Sequence, residues 1–357
     1  MLARRLLVSA GGGGSFTPPP RGAFEALLLA CGTTPVDAVC IGDSITEGQQ
    51  ASNVGARWVE VLANHLGATY DAGHTTARYY PVLFGVSFTN PANPWTSAGL
   101  VRRDDWGLGR RAVAIEGTDT ASITFSGTGF RLVWARHPTH GTFSYSVDAG
   151  APVNVDASGA AGGGKMTTVS GLADTSHTLA LAAVSGTSLI EGILETDGNE
   201  TTGIRLWEAG HGGYKASDYL ASSTWLDPIA TIQPQLVTLM LGTNDYSAGV
   251  AKATFKSQMT TLIANIRAVI TTPPSFLLMA AYQAHIPSIT VPWSDYVDAL
   301  SEIAVADGDI TFFSHVPSFG GYIDPPGGGL IDADRVHASD SGNQLISDNI
   351  VAILDTL

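Results

Sequence analysis

The segment Val36-Asp37-Ala38-Val39-Cys40-Ile41-Gly42-Asp43-Ser44-Ile45-Thr46-Glu47-Gly48 changes character at its midpoint. Its first half is a short apolar run rich in β-branched residues, the pattern of a strand buried on both faces. Its second half breaks at Gly42 and carries small polar side chains up to Gly48. A helix is expected next, with Trp58, Val59, Val61, Leu62 and Leu66 apolar at helical spacing and Gly67 closing it. Asp43 and Ser44 therefore stand where a strand hands over to a helix. In open α/β sheets, ligands bind at the carboxyl ends of strands. Two readings meet at this point: ordinary turn and cap residues, or a serine nucleophile beside backbone N–H groups.

The same rhythm returns after Thr202. Gly203–Trp207 reads as a strand leading into Glu208-Ala209-Gly210-His211-Gly212-Gly213, and a short helix begins at Asp218–Ser222. Gln235–Leu241 is a buried apolar strand that ends at Gly242-Thr243-Asn244-Asp245. Ala251–Ile270 is an amphipathic helix with Phe255, Met259, Leu262, Ile263, Ile266 and Ile270 on one stripe. Ser275–Ala281 and Ile310–Phe313 read as strands, Trp293–Ala306 and Asp340–Leu354 as helices. Strands alternating with helices of this length imply parallel pairing and a three-layer α/β/α sandwich.

Between Gly85 and Thr202 the texture differs. Short alternating runs cover Ala121–Phe125, Phe130–Ala135, Thr142–Val147, Pro152–Val155, Lys165–Val169, His177–Ala182 and Ser188–Leu194, separated by glycines. Asp148-Ala149-Gly150 has the composition of a hairpin turn. Regular short strands with turn signals predict an antiparallel β-sandwich or jelly roll. The predicted organisation is a Gly/Pro-rich arm (1–22), a first α/β part (23–84), an inserted β domain (85–202) and a second α/β part (203–357). Ala23–Ala30 is expected to form a short helix beside the first strand. The arm, with Gly11–Gly14 and Pro18-Pro19-Pro20, suits attachment to something larger.

Composition narrows the function. A chain of 357 residues can bury a sizeable core. A formal net charge of −14 argues against nucleic acid or an anionic membrane surface as partner and favours a neutral substrate. No run is long enough for a membrane span. Leu6-Leu7-Val8 after Arg4-Arg5 is too short for a signal-peptide core, which leaves the compartment open, an extracellular or virion-associated setting included. Cys31 and Cys40 read as structural thiols, with no metal-ligand company near them.

Four places stand at or near strand ends: Gly42-Asp43-Ser44, Gly210–Gly213, Gly242–Asp245 and Asp334-Arg335-Val336-His337. They hold the parts of an acyl-transfer site. Ser44 is a weak nucleophile until a base takes its proton, and His337 can act as that base. Asp334, three residues earlier, can accept the imidazole Nδ1–H and fix the tautomer. Attack on an ester builds charge on oxygen, for which the backbone N–H groups of Ser44 and Gly213 and the Asn244 amide are candidate donors.

In this order the blocks resemble the SGNH hydrolase superfamily, the GDSL-type esterases and lipases. The first block falls on Gly42–Gly48 and puts the family nucleophile on Ser44. The second puts the oxyanion glycine on Gly213, the third the oxyanion asparagine on Asn244, and the last the Asp/His pair on Asp334 and His337. The resemblance implies a flavodoxin-like parallel sheet and hydrolysis of acyl esters, often acetyl esters on carbohydrates, with no metal or organic cofactor. Some members carry an additional jelly-roll domain and deacetylate polysaccharides. Glu208 departs from the pattern, standing where the family usually has asparagine, and leaves the bracing of the second block open.

The expected substrate is thus an acylated carbohydrate or another small ester. Two alternatives use the same chain: a glycan-binding or adhesion protein with the α/β part as scaffold, and a sugar acyltransferase. His211 and Tyr246 are further candidates for substrate contact. Trp95 and Trp106 either stack on sugar rings or pack the seam between domains. Arg102-Arg103 and Arg110-Arg111 are expected to be solvated, and Asp43 and Asp245 to hold their blocks together.

Overall fold

The structure, a computed structural model, describes residues 28–70, 76–83, 93–198, 200–287, 289–321 and 329–354. The arm expected at 1–22 lies outside these residues, as does most of the helix expected at 23–30, of which Leu28, Leu29 and Ala30 are helical.

Strand β1 (Val36–Gly42) is buried along its whole length and passes directly into α1 (Ser44–Glu47). Helix α2 (Trp58–Tyr70) and strand β2 (Ala77–Pro81) follow. The antiparallel region comprises β3 (Trp95–Ala98), β4 (Val101–Arg103), β5 (Ala112–Ile115), β6 (Thr120–Arg136), β7 (Thr142–Val147), β8 (Val153–Asp156), β9 (Gly162–Ser185) and β10 (Ser188–Thr196). The chain then returns through β11 (Ile204–Gly210), α3 (Ala216–Leu220), α4 (Leu226–Ile232), β12 (Leu236–Met240), α5 (Thr243–Ser247) and α6 (Lys252–Ala268). It ends with β13 (Ser275–Ala280), α7 (Trp293–Ala306), β14 (Ile310–Ser314) and α8 (Asp340–Leu354).

The parallel strands run in the order β2-β11-β1-β12-β13-β14. Without β2 this is the flavodoxin-like order, and the reversal between β1 and its neighbours is where such sheets bind ligands. The antiparallel region is joined to this sheet rather than set apart from it. β2 pairs in parallel with β11 through Ala77–Tyr79 and antiparallel with β10 through Arg78–Pro81, so one strand belongs to both halves.

Two apolar cores follow from this layout. The larger packs α2, α6, α7 and α8 on the parallel sheet, with Trp58, Val39, Phe276, Met259, Tyr296 and Ile350 inside. The smaller lies in the antiparallel region and takes Ala121, Ile123 and Phe125 from the first half of β6 and Phe130, Leu132 and Trp134 from the second.

Several expectations needed correction. The runs Ala121–Phe125 and Phe130–Ala135 are one strand, β6, with a register shift at Gly127/Gly129. Lys165–Val169 and His177–Ala182 are likewise both in β9, which carries the extra residues of that shift. A bulge bends a strand without ending it, so glycine there signalled a bend and not a turn. Gly67 does not close its helix, which continues to Tyr70. A Cβ on Gly67 would lie 2.8 Å from Thr76 Oγ1, so its small size serves a close approach. Asp148 and Ala149 do form the turn between β7 and β8, both with positive φ (50° and 58°), and the Gly150 N–H donates to Val147 O across it at 2.8 Å. Both cysteines are buried and neither is in a disulfide, and burial pushes the Cys40 thiol up to about 12. No helix of the described residues is long and apolar enough to cross a membrane.

Candidate active site

The carboxyl ends of β1, β11 and β12 and the loop before α8 converge on Ser44. Asp43 caps α1, its Oδ1 accepting the Ile45 N–H at 2.9 Å, and this turns the Ser44 side chain out of the strand. Burial pushes the Asp43 carboxyl up to about 7. Tyr219 donates its hydroxyl to the carbonyls of Gly42 (2.8 Å) and Ala209 (3.0 Å), clamping the ends of β1 and β11. The His211 N–H closes the same junction on Gly42 O at 2.9 Å.

Ser44 Oγ lies 2.7 Å from His337 Nε2, and His337 Nδ1 lies 2.6 Å from Asp334 Oδ2. Asp334 Oδ1 accepts the backbone N–H groups of Val336 (2.8 Å) and His337 (2.9 Å), so the loop folds around its own carboxylate. Burial raises the Asp334 carboxyl, but hydrogen bonds from the His337 ring and these two N–H groups outweigh it and hold the group below the usual carboxylate range. With Asp334 ionised, the ring carries its proton on Nδ1 and presents an unprotonated Nε2 to the serine. Tyr282 steadies the loop by donating to Val336 O at 2.9 Å.

Beside Ser44 runs the turn Gly210–Gly213. Gly213 has φ +81°, a conformation that costs a residue with a Cβ about 1–2 kcal/mol. A Cβ there would meet nothing within 4 Å, so the residue borders open space. At Gly212 a Cβ would sit 2.9 Å from Glu47 Oε2 and 3.8 Å from Ser44 Cβ, which places this turn against α1. Glu47 Oε2 accepts the Gly212 N–H at 2.8 Å, and Glu208 Oε1 accepts the Gly210 N–H at 2.6 Å. The glutamate at 208 therefore supplies, through its own carboxylate, a brace for the second block. Asn244, in α5, donates one amide hydrogen to Tyr214 O at 3.0 Å, which leaves its second hydrogen for another acceptor.

The remaining candidates have the following surroundings. His211 is buried, with Nδ1 2.8 Å from Gly109 O and Nε2 2.7 Å from Arg102 Nη2, and its ring stacks on Tyr214 at 3.5 Å. Burial, followed by the charges of Arg111 and other arginines, pushes its pKa well down, so it accepts from Arg102 as a neutral ring. Tyr246 is buried between Trp293 and Tyr296. Trp95 is buried in the smaller core, its Nε1 3.4 Å from Tyr80 O. Asp245 Oδ2 accepts the Ala216 N–H at 3.2 Å, joining the third block to α3, and burial raises its carboxyl to about 6.

The arginines overturn an expectation. Arg111 is fully buried, Arg110 nearly so, and Arg102 and Arg103 are half-buried. Arg110 donates to the carbonyls of Asp104 (2.7 Å) and Asp218, and its guanidinium lies 5.4 Å from the Tyr214 ring centroid. Adjacent arginines look solvated only while distant partners such as Glu47, Glu208 and Asp218 are unknown. Gln50 was also missed: its Nε2 lies 3.2 Å from Asp334 Oδ2. A polar residue in a loop six positions after Ser44 carries no signal of that contact.

Fold and site together define a class: an α/β protein with serine, imidazole and carboxylate in series at the carboxyl edge of a parallel sheet. Residues 179–345 match the GDSL-like Lipase/Acylhydrolase family, the SGNH hydrolases, and that is the family the chain resembles. A solved structure described as a peptidoglycan O-acetylesterase in action shares the fold at a TM-score of 0.71 and 14% identity, over 94% of this chain and 97% of that one. Carbohydrate esterases of family two are more distant. The one from Cellvibrio japonicus has a TM-score of 0.33 at 10% identity, over 73% of this chain and 99% of its own. The one from Clostridium thermocellum, in complex with cellohexaose, has a TM-score of 0.35 at 15% identity, over 72% and 98%. No curated protein matches the sequence.

Proposed function

We propose that this protein is a serine esterase that hydrolyses short acyl esters, above all acetyl esters, on a carbohydrate or polysaccharide. The observation that carries the reading is the series Ser44 Oγ, His337, Asp334, with contacts of 2.7 and 2.6 Å. His337 Nε2 takes the Ser44 proton as Oγ attacks the ester carbonyl. Asp334 stabilises the imidazolium that forms. The carbonyl oxygen becomes an oxyanion, with the backbone N–H groups of Ser44 and Gly213 and the free amide hydrogen of Asn244 as its donors. His337 then returns its proton to the leaving sugar oxygen. A water, deprotonated by the same nitrogen, attacks the acyl-serine, releases the carboxylic acid and restores Ser44.

Two things support the choice of a neutral, acetylated glycan. The net charge of −14 disfavours a polyanionic partner. The like-folded protein of TM-score 0.71 is by its name an O-acetylesterase acting on peptidoglycan. The test is turnover of 4-nitrophenyl acetate, then acetate release from O-acetylated polysaccharides. Wild-type protein turns over the ester, and Ser44→Ala abolishes turnover with unchanged thermal unfolding. Equal turnover in Ser44→Ala would remove the mechanism.

A further inference from the structure

We infer that Arg111, supplied by the antiparallel region, is a positioning residue for the turn that carries Gly213. The inference deepens the esterase reading and rests on it for its catalytic consequence, but its structural part is measurable without any substrate.

Arg111 immediately precedes β5, and its side chain is fully buried, as are those of Glu47 and Glu208 (0%, 0% and 1% exposed). Its Nη1 lies 3.2 Å from Glu47 Oε1. Its Nη2 lies 2.7 Å from Glu208 Oε2 and 3.2 Å from Glu208 O. One guanidinium thus spans two carboxylates. The opposite oxygen of each carboxylate accepts one N–H of the turn, Gly212 on Glu47 and Gly210 on Glu208. Arg57 adds a weaker contact, Nη1 to Glu208 Oε2 at 3.5 Å, while its Nη2 is 2.7 Å from Glu60.

Two features make this a positioning device. Two carboxylates a few ångströms apart in a buried site repel each other unless a cation lies between them. The planar fork of arginine can meet both at once, which a lysine ammonium on a thinner stem cannot do with the same geometry. The peptide around Arg111 is also seated on the second block. A Cβ on Gly109 would lie 2.7 Å from Ala209 O, and Gly109 O accepts from His211 Nδ1. The antiparallel region therefore reaches the proposed oxyanion site at several points, and Arg111 is the side chain that bridges the two carboxylates holding the turn. Neither block contains Arg111, which stands 97 positions before Glu208.

The test uses the full chain with Arg111→Lys, which keeps the charge, and Arg131→Lys as control, since Arg131 pairs with Glu200 away from the site. Amide hydrogen exchange is read at Gly210 and Gly212. Arg111→Lys is expected to speed exchange there by about tenfold or more while β1 and β12 keep their protection, and Arg131→Lys to change neither. On 4-nitrophenyl acetate, Arg111→Lys is expected to lower kcat by about 10–100-fold with KM little changed, because displacement of a donor by about 1 Å costs on that order. Unchanged exchange at Gly210 and Gly212 overturns the inference whether or not the protein is an esterase. Faster exchange with unchanged kcat overturns its catalytic half, and absence of turnover in the wild type overturns the esterase reading alone. If Arg111→Lys does not fold, Glu208→Gln decides: it keeps an acceptor for the Gly210 N–H but weakens the hold of Arg111, and the same exchange measurement applies.

Discussion

Asn244 Nδ2 donates to the carbonyl oxygen of Tyr214 at 3.0 Å, so the third block is tied to the residue that follows Gly213 in the second. Two proposed donors to the same oxyanion, from segments thirty positions apart, are held in one geometry by this bond. Asn244→Ala removes a donor and the tie together. The expected result is a loss of about 10²–10³ in kcat with KM little altered, measured by steady-state kinetics on a small acetyl ester. A loss expressed in KM alone would show that Asn244 binds the ground state equally.

Asp334→Asn is expected to keep the loop, because an amide oxygen can still accept from Val336 and His337 N–H as Asp334 Oδ1 does. The amide NH₂ would face Nδ1 and move the ring proton to Nε2, leaving no base for Ser44. A fall of about 10⁴ in kcat with little change in unfolding temperature is the expected outcome. Activity within tenfold of wild type would show that Asp334 does not set the tautomer.

Gln50 touches the same Asp334 oxygen that accepts from His337, at 3.2 Å. Gln50→Ala is expected to reduce kcat by roughly threefold to tenfold, the scale of one hydrogen bond of about 1 kcal/mol. Gln50→Glu places a carboxylate against Asp334 and should be worse than alanine. The reverse order of the two variants would mean that the contact does not matter to turnover.

Glu191 lies in β10 beside the Gly107–Arg111 segment, and burial raises its carboxyl to about 7. The unfolded chain ionises this group near the ordinary glutamate value, whereas the folded chain keeps the proton until about pH 7. Its contribution is full below the unfolded pKa and lost as pH rises through the folded one. Glu191→Gln, which can still accept the Gly164 N–H, removes that loss. The variant is expected to gain on the wild type between pH 5 and pH 8, by about 3 kcal/mol at most. Thermal unfolding of both proteins across this range checks it, and parallel curves would contradict it.

Much of the fold was legible because burial writes itself locally. The apolar run of β1, the one-sided stripe of α6 and the extents of α7 and α8 follow from side chains that must face a core. The long strands of the antiparallel region were divided too finely, since Gly127, Gly129 and Gly171 look the same at a bulge as at a turn. The environment of Arg110 and Arg111 was misread because a charged pair is solvated or buried according to partners that the local sequence does not name.

From residue type and order alone came the α/β alternation with an antiparallel block inside it, and the short polar segments at strand ends where chemistry could reside. Such features depend on neighbours within a turn or two of the chain, and local sequence records them. Tertiary structure alone decided that β2 joins the parallel and antiparallel halves in one sheet, that Ser44 and His337 approach across 293 positions, and that Arg111 lies between Glu47 and Glu208. Those contacts depend on how strands order themselves and where a desolvated charge finds its counter-charge, and both are properties of the packed chain as a whole.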